Sequence, residues 1–250
     1  MTQEKAIKEA ADILGKTKKA VALTGAGISV ESGIPAFRGS QGLWEKWDPR
    51  IFEISFFRKD PVQGWQLLME MDKMMMGAKP NQGHLSLVDL ERMGILQAVI
   101  TQNIDGLHHE AGSRDVVEFH GSARRLRCLK CGKPWTHDEV SFETLPPRCD
   151  CGGVIKPDIV FFGEAIPQEA GISAYTASQH CEVMLVVGTS AVVAPASHLP
   201  VMAKQCGAKV IEINMEPSAL GRISDYVLIG SAGEILPQII AEIKAGQGLT

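Results

Sequence analysis

The spacing of apolar positions changes several times along the chain, and each change predicts an element. Residues 3–14 carry Ala6, Ile7, Ala10, Ala11 and Leu14 at helical spacing, with Gly15 placed to stop the helix. A continuous apolar strand follows at 19–24. Residues 60–76 predict a methionine-rich helix opened by Asp60-Pro61, 82–93 a second helix, and 97–101 a buried strand. A short helix over 105–111 and a strand over 116–119 come next. Further on, strands are predicted at 158–162, 182–187, 209–213 and 226–229, with helices at 168–179 and 232–244. Apolar strands alternating with helices predict an α/β protein built on a doubly wound parallel sheet. Ligands of such sheets sit beyond the C-terminal strand ends, so the residues that close each apolar run carry the chemistry.

Composition narrows the function classes. At 45% hydrophobic and 22% charged residues, with a net charge of −4, the 250-residue chain has the make-up of an ordinary globular protein. Nothing in those totals attracts nucleic acid or an anionic membrane. No apolar run approaches the ~18 residues of a membrane span, and Met1 to Ala10 is charged and helix-like, so a cytoplasmic protein is expected.

The strand at 19–24 runs into Gly25-Ala26-Gly27-Ile28-Ser29-Val30-Glu31-Ser32-Gly33, a glycine-rich turn whose backbone could approach a pyrophosphate. The third glycine of the dinucleotide fingerprint falls at Val30, which weakens that signal. Residues 34–44, with Phe37, Arg38, Leu43 and Trp44, have the composition of a loop that closes over a ligand. The strand at 97–101 ends in Thr101-Gln102-Asn103-Ile104-Asp105, where a carboxamide beside a carboxylate suits a ligand with its own amide, such as nicotinamide; the same five residues also fit a polar turn. The strand at 116–119 ends in His120-Gly121-Ser122, the position of a general base. His108 and His109 read as surface histidines. The helix over 60–76 reads as adaptable core packing or as a flexible apolar wall for an acyl chain or a partner.

Residues 124–156 form a distinct insertion. Cys128-x2-Cys131 and Cys149-x-Cys151 are separated by seventeen residues, and Gly152-Gly153 follows. Four thiolates so spaced, in a chain without an export signal, predict a closed tetrahedral zinc site rather than disulfides. Arg124, Arg125, Arg127 and Lys130 give the insertion local positive charge, but Trp135 alone supplies aromatic interleaving, so nucleic-acid binding is not expected. Cys181 and Cys206 read as buried small hydrophobes.

Taken together, the chain resembles the sirtuins, the NAD-dependent protein-lysine deacylases, in their short bacterial and archaeal form. Gly25-Ala26-Gly27-Ile28-Ser29, Ser32-Gly33-Ile34-Pro35, Phe37-Arg38, Thr101 to Asp105, His120-Gly121, the four cysteines, Val160-Phe161-Phe162-Gly163-Glu164, Gly188-Thr189-Ser190 and Asn214 match in order over nearly the whole chain. The resemblance implies a Rossmann-like NAD-binding domain from 1–36, 81–123 and 157–250, a cofactor loop and helical module at 37–80, and a zinc-binding insertion at 124–156. It implies NAD as co-substrate and structural Zn2+ on Cys128, Cys131, Cys149 and Cys151. Gly25, Ala26, Gly27, Phe37, Arg38, Gln102, Asn103, Ile104, Asp105 and His120 would contact the pyrophosphate, ribose and nicotinamide. Gly188, Thr189, Ser190, Asn214, Met215, Glu216 and Ala232 would surround the adenosine. An acyl-lysine peptide would lie as a strand between Val160, Phe161, Phe162, Gly163 and Glu164 on one side and Val193 on the other.

In the mechanism that the resemblance implies, the acyl oxygen attacks C1′ of the nicotinamide ribose. Asn103 and Asp105 hold the departing nicotinamide, and His120 acts as general base on the ribose hydroxyls, so the acyl group ends on ADP-ribose. Two positions depart from the family. Ala36 stands before Phe37-Arg38 where an aspartate is frequent. Leu68 and Met71 stand where succinyl-accepting relatives carry a tyrosine and an arginine, so acetyl or longer uncharged acyl groups are expected and succinyl is not. The expected partners are acyl-lysine proteins or peptides, and the expected state is a monomer. Protein mono-ADP-ribosylation and a non-catalytic NAD- or zinc-binding interaction module are the competing classes.

Overall fold

The computed structural model describes residues 2–38 and 42–248. In chain order its elements are α1 (Gln3–Lys16), β1 (Ala20–Thr24), a 3-10 helix at Ala26–Ser32, α2 (Leu43–Lys46), a 3-10 helix at Pro49–Phe52, α3 (Ile54–Lys59), α4 (Pro61–Met75), α5 (Gln82–Arg92), β2 (Leu96–Thr101), α6 (Leu107–Ala111), β3 (Val116–Glu118), β4 (Gly121–Cys128), β5 (Pro134–Trp135), a 3-10 helix at His137–Glu139, β6 (Ile155–Ile159), α7 (Gln168–His180), β7 (Val183–Val187), α8 (His198–Gln205), β8 (Lys209–Asn214), β9 (Tyr226–Ile229) and α9 (Ala232–Gly246).

Six strands form a parallel sheet in the order β3-β2-β1-β7-β8-β9. Its central strands β1 and β7 are buried on both faces, which is why they read as unbroken apolar runs. In β7, Val183, Leu185 and Val187 pack with α1, α5 and α9, while Met184 and Val186 pack with Ala174 of α7 and Leu199 and Ala203 of α8. The strand order reverses between β1 and β7, which makes their C-terminal ends the switch-point crevice of the sheet.

A second, antiparallel sheet, β5-β4-β6, lies apart from the first. Its core joins Leu126, Ile155 and Ile159 to Ile54 and Phe57 of α3 and Trp65 of α4. Two expectations change here. The strand expected at 158–162 is β6 at Ile155–Ile159, and it belongs to this small sheet rather than to the parallel one. α8 has no counterpart among the expected helices. The expected closing loop at 34–44 includes residues 39–41, which lie outside the described residues; its far end, from Leu43, is helical. Among the described residues no helix is long and apolar enough to cross a membrane.

Candidate active site and metal centre

At the switch point the ends of β1 and β7 touch through glycine. A Cβ on Gly25 would stand 2.7 Å from Thr189 Cβ, and one on Gly27 would stand 2.7 Å from Gly188 Cα. Gly188 holds φ +62°, and a side chain there would collide with the Ile28 amide. The Gly25 N–H donates to Val187 O at 3.0 Å, and the Gly27 N–H to Gly188 O at 2.8 Å. Side chains are therefore excluded where the two strand ends meet, leaving a backbone cradle. The turn continues into a 3-10 helix at Ala26–Ser32. Asn81 steadies that helix, donating to Ile28 O at 2.7 Å and Ser32 Oγ at 2.9 Å while its Oδ1 caps α5. Glu31 reaches the start of α9, accepting from Ser231 Oγ and the Gly233 N–H. The N-terminus of α9, beside Ala232, is thus already engaged by a carboxylate.

The polar ends of β2 and β3 converge on this cradle. Asn103 donates through Nδ2 to Gly25 O at 3.2 Å and to Ser29 Oγ at 3.1 Å. Ser29 passes the bond on to Asp105 Oδ2 at 2.8 Å, and Asp105 Oδ1 accepts the Leu107 N–H at 2.9 Å. Gln102 donates to Thr24 O and to Thr189 Oγ1, bridging β1 and β7. On the β8 side, Asn214 donates to Thr189 O and to Glu212 Oε1. A pattern emerges: all three carboxamides engage their N–H groups inside the protein, and no described residue donates to their carbonyl oxygens. What they leave for a ligand is a set of acceptors, suited to the hydroxyls of a ribose and the N–H of an amide.

His120 adds one more acceptor. Its Nδ1 lies 3.1 Å from Gln102 O, and a carbonyl can only accept, so Nδ1 carries the proton and Nε2 is the free base. Burial pushes its pKa below the ordinary histidine value, against the pull of that hydrogen bond, so the imidazole stays neutral. Gly121, φ +75°, turns the chain immediately after it, where any side chain would meet Asp158 O.

Elsewhere the placements are mixed. Phe37 lies in an aromatic group with Trp44 and Phe52, and Arg38 stacks over Trp44 at 4.1 Å. Ile104 is half-buried, whereas Ser190, Met215 and Glu216 are exposed around the crevice. Phe162 pairs with the 3-10 segment before α3: its N–H donates to Phe52 O, and its carbonyl accepts from the Ile54 N–H. Among the described residues no hydrogen bond joins Val193 to the 160–164 segment. Leu68 and Met71 line a groove of about 140 Å³ together with Met69, Met75, Ile104 and Phe142, and Asp72 and His137 also border it.

The sequence pattern missed Ser29, Asn81, Glu31 and two buried histidines. His108 is not a surface residue: it is 1% exposed, bonds Thr24 Oγ1 through Nε2 at 2.9 Å and lies 4.9 Å, ring to ring, from the fully buried His84. His109 is exposed, as expected. Helical spacing was the available signal, since α5 places His84 on the face that carries Leu87 and Val88 into the core.

The four cysteines form one cluster. Their sulfurs lie within 4.8 Å of one another, with Cys128–Cys151 at 3.5 Å and Cys131–Cys149 at 3.7 Å. A tetrahedral zinc thiolate site with bonds of about 2.3 Å has sulfur–sulfur edges of roughly 3.8 Å, so the cluster fits zinc. Gly153 is required beside it, because a Cβ there would stand 2.6 Å from Cys128 Sγ. Cys181 is buried as expected, but Cys206 is exposed at the end of α8. The nearby basic residues are largely compensated: Arg124 pairs with Glu110, Arg125 with Glu118 and Asp158, and Arg127 with Asp158.

Known proteins share this arrangement. The Sir2 family model matches residues 25–195. The chain is 49% identical over 248 residues to NAD-dependent protein deacylase 2 of Archaeoglobus fulgidus, covering 96% of this chain and 97% of that one. It is 48% identical over 236 residues to NAD-dependent protein deacylase 2 of Pyrobaculum aerophilum, covering 94% of each. A Sir2 structure holding a deacetylated p53 peptide and 3′-O-acetyl-ADP-ribose superposes with a TM-score of 0.89 at 37% identity, covering 98% of this chain and 99% of that one. With the glycine cradle, the converging strand ends and the four-cysteine cluster found in one chain, and with likeness of this extent, the protein belongs to the Sir2 family.

Proposed function

We propose that the protein removes acetyl or other uncharged acyl groups from protein lysines at the expense of NAD, yielding nicotinamide, O-acyl-ADP-ribose and free lysine. The observation that carries this reading is the ring of unengaged acceptors, Gln102, Asn103, Asn214 and His120 Nε2, around the glycine cradle at the switch point. When bound there, NAD supplies an electrophilic ribose carbon and a leaving nicotinamide. The chain's part is to hold and to deprotonate. Gly25, Ala26 and Gly27 would admit the pyrophosphate, with Phe37 and Arg38 closing from the loop. Gly188, Thr189, Ser190, Asn214, Met215, Glu216 and Ala232 would border the adenosine. Asn103 Oδ1 and Asp105, with Gln102 and Ile104 beside them, would hold the nicotinamide and its ribose, and the Ser29 bridge keeps the amide and carboxylate in one orientation.

His120 would take a ribose hydroxyl proton on Nε2, the nitrogen its Gln102 bond leaves free. Because burial lowers its pKa, kcat/KM should keep its plateau down to below pH 6.5 and fall only where the imidazole is protonated; an acid limb centred above pH 6.5 would count against this base. The acyl-lysine peptide would pair along Val160 to Glu164, with Val193 on its other side. The acyl group would point to the groove lined by Leu68 and Met71. A succinyl tail would find no lysine or arginine among those lining residues and would face the carboxylate of Asp72. A solved relative, 43% identical with a TM-score of 0.81 and covering 98% of this chain and 99% of that one, is bound to a myristoylated histone peptide, which favours a long uncharged chain in the corresponding place. We place the enzyme in the cytoplasm as a monomer without nucleic-acid partners, in keeping with its net charge of −4 and its paired arginines.

Mass spectrometry of acetyl-lysine and succinyl-lysine peptides, with NAD present or omitted, tests the reading. Acetyl loss that needs NAD, produces acetyl-ADP-ribose and falls at least about a hundredfold in His120→Ala is the expected result. No turnover of acetyl or longer acyl peptides would sink it, and ADP-ribose attached to the protein substrate would favour the transferase alternative.

A further inference from the structure

Lys156 is an ammonium in a place that suits an apolar side chain. It lies in β6, its side chain is 6% exposed, and it packs against the Phe161 ring at 4.8 Å. Burial drives its pKa down, the sign of a charge held away from water at a cost. Its ammonium donates to Pro157 O at 3.1 Å and Ile159 O at 2.6 Å and is ion-paired with Glu164 Oε2 at 3.1 Å. Glu164 Oε2 also accepts the Phe161 N–H at 3.0 Å. The pair closes a loop from the end of the small sheet to the far side of the 160–164 segment.

That loop touches two other parts of the site. The Val160 N–H donates to His120 O at 2.9 Å, and Phe162 is paired on both its N–H and its C=O with Phe52 and Ile54. The course of the 160–164 backbone is therefore tied to the backbone of the base at one end and to Lys156 at the other. A methionine at 156 would fill the same space without burying charge, and buried ion pairs of this kind add little net stability over apolar replacements. What the pair supplies is a fixed geometry.

We propose that Lys156 and Glu164 form a positioning clamp that sets the peptide-binding strand against His120, with Lys156 touching neither peptide nor NAD. The proposal rests on the deacylase reading given above. A strand that receives a peptide by backbone pairing loses affinity when its own backbone wanders, whereas a substrate without flanking backbone is indifferent.

The test is steady-state kinetics of wild type, Lys156→Met, Glu164→Gln and the double variant on an acetyl-lysine peptide and on a single acetyl-lysine with no flanking residues. In Lys156→Met the peptide KM should rise about tenfold or more, with kcat and the NAD KM within about twofold and zinc content unchanged. The loss should vanish for the single residue, and the double variant should be no worse than either single one, because each already removes the same ion pair. Equal losses on both substrates, or a lowered Tm with an unmoved peptide KM, would overturn the clamp. Should Lys156→Met not fold, Lys156→Gln, which removes the charge but keeps a donor, carries the same comparison. Absent turnover in wild type would speak against the deacylase reading alone. The clamp would then be judged by fluorescence anisotropy of the labelled peptide, with weaker binding by Lys156→Met supporting it and equal binding refuting it.

Discussion

His84 and His108 show what a single buried ring does to the whole stability curve. Burial lowers both pKa values; for His108, with the charges of His84 and His109 adding to it, the value falls to about 3. The unfolded chain binds a proton on this ring at about pH 6.5, while the folded chain refuses it until about pH 3. Its folded pKa is depressed, so the contribution is intact above pH 6.5 and is lost as pH falls through that interval, at up to ~1.4 kcal/mol per pH unit. Between pH 6.5 and 5 this ring alone should lower the unfolding free energy by about 2 kcal/mol. Urea unfolding at the two pH values should show that slope in wild type and a clearly flatter one in His108→Asn, with His84 retaining part of it. An unchanged slope in the variant would mean that His108 is protonated in the fold. The sequence pattern could not anticipate this, because Asp105 to Ala111 is too short for its apolar periodicity to reveal a buried face. Cys206 failed for the opposite reason: a cysteine's type favours the interior, but the C-terminus of α8 is at the surface.

At the scale of elements, the central strands of the parallel sheet were legible because burial on both faces leaves β1 and β7 as apolar runs, and β8 as one interrupted only by the buried Glu212. The run at 158–162 looks the same for another cause. Phe161 fills the small core, Phe162 is exposed beside the loop aromatics, and only β6 before them pairs in a sheet. An apolar run reports burial and says nothing of which sheet the strand joins. α8 escaped because it is short and Pro200 breaks up its apolar pattern, although Pro200 sits in the first turn, where its missing N–H costs nothing. Asn81 links two elements and is accessible to test. Asn81→Ala loses the cap of α5 and both donors to the 3-10 helix of the glycine turn, for about 2–4 kcal/mol in urea unfolding. Asn81→Asp keeps the cap but cannot donate to Ile28 O or Ser32 Oγ. NAD affinity should therefore fall in both variants, while stability falls less in the aspartate; intact NAD affinity in both would separate the cap from the cofactor turn.

For the whole molecule, the question is why a metal site with four protein ligands and no open position should matter to chemistry at the switch point. The small core answers it, since Cys128 and Cys149 pack in the same cluster as Leu126 and Ile155, with Phe161, Phe57 and Trp65. Trp65 Nε1 donates to Ile155 O at 2.8 Å, which binds α4, and with it the groove lined by Leu68 and Met71, to β6. The six-stranded sheet has its own two cores on either face and shares neither with the four clustered cysteines. Zinc removal should therefore be felt on the substrate side first. Chelation should release one zinc per chain, expose Trp65 to solvent and abolish peptide turnover, while NAD binding stays within about threefold and the parallel sheet keeps its circular dichroism. Cys131→Ser should mimic it and Cys206→Ser should not, since Cys206 lies outside the cluster. Loss of NAD binding in step with the metal would mean that the two cores fold as one unit, and the division of labour drawn here would be wrong.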